Sequence, residues 1–72
     1  MNTFTAYIEY DGESGLYVGS VPSVPGAHSQ GATLDELREN LQEVLALCLE
    51  ELGDERADLP KFVGIQQIEV AV

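Results

Sequence analysis

From Thr3 to Tyr10 hydrophobic and polar positions alternate: Phe4, Ala6, Ile8 and Tyr10 share one parity, Thr3, Thr5, Tyr7 and Glu9 the other. That period predicts a half-buried strand with the first set facing the core. The segment Asp11-Gly12-Glu13-Ser14-Gly15 follows, and its glycines can supply positive φ, so a hairpin is expected. Leu16 to Val21 is the return strand. Tyr17, Gly19 and Val21 alternate there with Leu16, Val18 and Ser20, and because both parities hold apolar residues the buried face is left open. Pro22 and Pro25-Gly26 make a corner, since proline lacks the amide a central ladder needs. Ala27 to Gln30 can form a short third strand that Gly31 ends.

The period then changes. Leu34, Leu37, Leu41, Val44, Leu45, Cys48 and Leu52 recur at three and four residues, the stripe of an amphipathic helix over about 34 to 52. Thr33-Leu34-Asp35-Glu36 is a capping box at its start, and Gly53 is a natural C′ residue. Leu47 and Leu49 fall off this stripe, as scattered surface residues or as a second buried face against a partner. After a polar connection from Asp54 to Pro60, Phe62 to Val72 returns to a strand pattern, with Ile68, Val70 and Val72 on one parity.

These elements predict a single α+β domain over residues 1–72, in the order β-β-β-α-β. Three antiparallel strands, a helix and a right-handed crossover place the last strand beside the first and parallel to it. The expected sheet is mixed and four-stranded, order 3-2-1-4, with the helix on one face. The uncovered face and the sheet edges favour self-association as a homodimer or higher homo-oligomer.

Charge narrows the partners. Thirteen acids against three bases, Arg38, Arg56 and Lys61, give a formal charge of -10. Phosphate backbones repel such a chain, so no direct nucleic-acid binding is expected. A basic protein would be attracted, although solubility alone also accounts for the charge. The single cysteine, Cys48, reads as a small buried hydrophobe and suits a reducing cytoplasm. The apolar runs are far shorter than the ~20 residues of a membrane span, and no signal peptide is evident.

Catalytic machinery is not expected. Glu9 and Asp11 lie two apart on the first strand and Glu69 could approach them, but solvated acids explain all three and no inward helix acid completes a metal cluster. His28, the only histidine, has neither a cysteine nor a second histidine near it to share a metal. The glycines match no phosphate-binding loop. Tyrosine is enriched at interfaces, and Tyr7 has the parity of the helix-free face together with Glu9. Tyr10 has core parity, while Tyr17 can lie on either face.

Tyr7-Ile8-Glu9-Tyr10-Asp11, Gly15-Leu16-Tyr17, Val21-Pro22-Ser23-Val24-Pro25-Gly26, Ser29-Gln30-Gly31, Thr33-Leu34, Glu36 and Glu39-Asn40, in this order, closely resemble HicB-family antitoxins over roughly residues 4 to 52. The resemblance implies a partial ribonuclease H-like fold, β-β-β-α-β. It also implies a small basic toxin partner, HicA, which cleaves mRNA and which the antitoxin masks. Many members carry a C-terminal DNA-binding domain. This chain reaches Val72 without one, so operator binding by it alone is not expected. Ala27 stands where many relatives have cysteine.

The expectation is therefore a non-catalytic, cytoplasmic antitoxin-type module without a cofactor or metal. It would neutralise a HicA-like toxin by occlusion, with Tyr7, Glu9, Asp11, Tyr17, His28 and Gln30 as candidate partner-binding residues. The alternative is a stand-alone homo-oligomeric HicB-like domain with no toxin partner.

Overall fold

The structure, a computed structural model, describes residues 3–72. Strand β1 (Tyr7–Asp11) turns into β2 (Leu16–Ser20), which leads through a corner to β3 (His28–Gly31). Helix α1 (Leu34–Leu52) follows and runs on into a 3-10 turn over Gly53–Asp58. The strands form an antiparallel sheet in the order β1-β2-β3. Tyr7 lies opposite Ser20 and Asp11 opposite Leu16, and Ser20 in turn lies opposite His28.

The corner is built from two successive turns. The Val24 amide donates to the Val21 carbonyl (3.0 Å) and the Ala27 amide to the Val24 carbonyl (3.1 Å). In the second turn Pro25 and Gly26 hold the central positions, and Gly26 has φ +81°. Proline followed by a positive-φ glycine is the requirement of a type II turn. A bond from the Val21 amide to the Ala27 carbonyl (2.8 Å) closes the loop. The two turns bring Val21, Val24 and Ala27 together as a buried cluster, against which Phe4, Ala6, Leu45, Cys48, Leu49, Leu52 and Leu59 pack. Val21 therefore leaves the ladder one residue before the expected strand end, and Thr3 to Ala6 have no strand opposite them. This is why β1 begins at Tyr7 rather than Thr3.

The helix has the expected bounds. The Thr33 hydroxyl accepts from the Glu36 amide at 3.1 Å, and Gly53, at φ 54°, donates its amide to the Leu49 carbonyl. Leu37 and Leu41 are its buried residues. Leu49 joins the main core, whereas Leu47 is exposed. α1 packs over β3 and β2. At two places the approach is close: a Cβ on Gly19 would meet Leu41 Cδ1 at 3.0 Å, so that side chain would have to give, and one on Gly31 would stand 2.6 Å from the Leu37 backbone nitrogen, where only glycine fits. The Asn40 side-chain amide also donates to the Gln30 carbonyl at 2.8 Å, tying helix to strand.

Gly31→Ala should therefore force the helix start away from β3. An overpacked core position costs about 1–3 kcal/mol, which corresponds to a Tm loss of roughly 4–8 °C per kcal/mol in a domain this small. Thermal unfolding followed by circular dichroism checks this. Gly12→Ala, with nothing within 4 Å of the added carbon, is the control and should unfold with the parent.

Two expectations are corrected. The mixed four-stranded sheet of order 3-2-1-4 is not seen: among the described residues the sheet is three-stranded and antiparallel, and residues 60–72 belong to no regular element. Leu59 is half-buried against the core, and after its extended backbone (φ -66°, ψ 144°) into Pro60 the chain runs off the sheet instead of along β1. Ile8 and Tyr10 also have core parity without core burial; Tyr10 is 61% exposed. β1 is an edge strand and the helix lies over the other two, so the helix-facing side of β1 has little above it.

Candidate functional site

The face of the sheet opposite α1 carries two rows of side chains. In register across the strands, one row is Tyr7, Ser20 and His28; the other is Glu9, Val18 and Gln30. Strand alternation puts these on one side, while Gly19 on the other parity meets Leu37 and Leu41. The rows line a shallow open trough. Tyr7, Glu9, His28 and Gln30 are exposed in it.

Asp11 has the same parity but a different task. Its carboxylate accepts from the Ser14 hydroxyl at 2.8 Å and from the Glu13 amide at 3.2 Å, while the Leu16 amide donates to the Ser14 hydroxyl at 3.3 Å. With the Gly15 amide on the Asp11 carbonyl (2.8 Å), these bonds lock the hairpin. The Ser14 hydroxyl and then the Glu13 amide stabilise the ionised form and hold the Asp11 pKa below its ordinary 3.8. A depressed folded-state pKa makes a contribution that is complete above the unfolded value and is lost as pH falls through the folded one. The Asp11 carboxyl resonance should therefore titrate below 3.8 in the parent and move back toward it in Ser14→Ala. Equal midpoints would mean that the hydroxyl is not the cause.

Tyr17 lies opposite Tyr10 in the ladder, with ring centroids 5.1 Å apart and planes inclined at 60°. Such a tilted pair contributes about 0.5–1.5 kcal/mol beyond burial. It shares the helix-side parity of Gly19. The structure thus brings Tyr7, Glu9, His28 and Gln30 into one face, commits the Asp11 carboxylate to the hairpin, and places Tyr17 on the opposite side. Val18 and Ser20 complete the trough between the strands that carry the candidates. Their register could not be read before the β2 face was known.

Among the described residues, no group of three or more His, Cys, Asp or Glu side chains is placed to hold a metal ion. Glu69 belongs to the segment that leaves the sheet and is not on a strand beside Glu9. Among the described residues no helix is long and apolar enough to cross a membrane. What the face offers is an open, tyrosine-bearing surface with Glu9, His28 and Gln30 exposed on it.

Comparison with known proteins gives the family. The family model described as the HicB_like antitoxin of bacterial toxin-antitoxin systems matches residues 4–71. A UPF0150 protein of Thermotoga maritima is 58% identical over 93% of this chain and 88% of its own. UPF0150 proteins of Synechocystis (46%) and Archaeoglobus fulgidus (43%) each align over 93% of this chain and 93% of their own. No solved structure matches the chain. With nearly its whole length covered by the family model, this chain belongs to the HicB-like antitoxin family.

Proposed function

We propose that the protein is an antitoxin-type binding module that neutralises a small, basic, HicA-like mRNA-cleaving toxin by occlusion. The observation that carries this reading is the helix-free face, where Tyr7, His28, Glu9 and Gln30 stand exposed on adjacent strands of a chain of formal charge -10. A ribonuclease must present positive charge to its RNA. A tyrosine anchor beside Glu9, on a chain whose net charge is strongly negative, is complementary to that surface, and occupying it blocks the substrate. No catalytic step by this chain is needed; the module acts in the cytoplasm and as a homodimer or higher homo-oligomer.

The test is purification of the tagged protein at low salt from its native cells, followed by denaturant release of what accompanies it. A stoichiometric small basic protein that cuts RNA only after release supports occlusion. Self-association alone favours the second reading, a stand-alone homo-oligomeric domain with no toxin. That reading also has an observation behind it: the long apolar segment that follows the helix lies largely open to solvent.

A further inference from the structure

The segment after Pro60 is the least satisfied part of the molecule. Val63 is 95% exposed, Ile68 78% and Val70 70%, with Phe62, Ile65 and Val72 also open. The whole chain exposes 6084 Å². A compact monomer of 7.8 kDa would expose about 4,400 Å², so roughly 1,700 Å² is surplus. The radius of gyration is 14.0 Å, where about 11 Å is expected for this length. Both excesses fit an arm lying off the body.

The body carries a matching vacancy. β1 is an edge strand, and among the described residues no strand pairs with its outer side. Beside it, between the sheet and α1, runs an apolar groove lined by Ile8, Leu34, Leu41 and Leu45, with Arg38 at its margin. Ile8 and Leu34 are exposed there. Along the arm, Ile68, Val70 and Val72 share one parity, and Gln67 and Glu69 the other. A strand laid on the β1 edge would turn the first set into the groove and the second toward the polar face.

We propose that the groove and the β1 edge of one copy receive the arm, residues 62–72, of a second copy, and that the exchange is reciprocal. The hinge favours exchange over folding back. Leu59 is half-buried against the core and extended, and Pro60 after it restricts it to that conformation; the chain then passes Thr5 and Ser23 and leaves Ile65, Ile68 and Val70 open to solvent instead of seated on its own β1. A two-fold arrangement lets each chain supply an arm and receive one, which closes the β1 edge of both copies. Covering the surplus on two chains removes roughly 3,400 Å², within the range of obligate homodimers. This rests on the self-association in the proposed function and not on the toxin; the body keeps its Tyr7 face free in either case.

The experiment uses two full-length variants, Ile68→Asp with Val70→Asp in the arm, and Ile8→Asp with Leu34→Asp in the groove. Native mass spectrometry and sedimentation should find the parent dimeric and each variant monomeric at the same concentration. Mixing the two variants should restore a dimer of mixed composition, because the intact arm of one fits the intact groove of the other. A monomeric parent, a dimeric variant, or a mixture without mixed dimers overturns exchange. Should the groove variant lose its helical circular dichroism, hydrogen exchange on the parent decides: protection of the Ile65–Val72 amides must fall on dilution. Protection independent of concentration would place the arm on its own sheet and overturn the proposal.

Discussion

Leu37→Ala should cost this domain more stability than any other single truncation on the helix. Leu37 is fully buried, at 0% exposure, and lies where α1 approaches both Gly19 and Gly31 most closely. Buried Leu→Ala changes cost about 2–5 kcal/mol, the higher values where the surroundings cannot collapse into the cavity. The void would open between the Gly19 backbone and the side chains of Val21, Leu41 and Leu45. Domains are stable by only about 5–15 kcal/mol, and one this short sits toward the low end. The variant should therefore be partly unfolded at room temperature, with a urea midpoint close to zero. Leu47→Ala removes the same atoms from a position 62% exposed and should leave the midpoint within error of the parent. A loss below about 1 kcal/mol for Leu37→Ala would mean that the helix is anchored mainly through the Val21 cluster.

The contrast between Leu37 and Leu47 marks what the sequence made legible. Helical period and caps depend on local spacing, so Thr33, Gly53 and the stripe through Leu37 and Leu41 could be read directly. The Pro25-Gly26 turn was legible for the same reason: its φ requirements lie in the two residues themselves. Parity told which residues of β1 share a side, but not that the helix would lie over β2 and β3 and leave Ile8 and Tyr10 uncovered. That depends on how closely α1 approaches each strand. A signal for it was present in Gly19 and Gly31, since a glycine inside or ending a strand marks close backbone approach. The same signal would have settled the face of Tyr17. Asp11 shows a different limit: alternation assigns a side chain to a face, and a hydroxyl three residues away can still turn its carboxylate into the hairpin. The fourth strand failed for a third reason. Its pattern is that of a strand, but a strand pattern does not say whose edge it joins.

Tyr7→Ala should abolish most toxin affinity if the proposed occlusion uses the open face. Tyrosines at the centre of an interface account for a large share of hot spots, and truncating one costs about 2 kcal/mol or more, a loss of at least roughly 30-fold in Kd. Tyr7 sits in the row with Ser20 and His28 and is 51% exposed, so its removal leaves the core untouched. Glu9→Lys, in the next row, should act mainly through encounter. The association rate with a basic partner should drop, and its dependence on salt should weaken, while dissociation changes less. Tyr10→Ala is the matched control: another exposed tyrosine of the same strand, on the helix side and paired with Tyr17. It should lower stability by a fraction of the Leu37 effect and leave affinity intact. Surface-bound kinetics at two salt concentrations separate these outcomes. If Tyr10→Ala weakens binding and Tyr7→Ala does not, the toxin meets the helix side of β1. It would then compete with the exchanged arm for the same edge, and dimer formation and neutralisation would exclude each other.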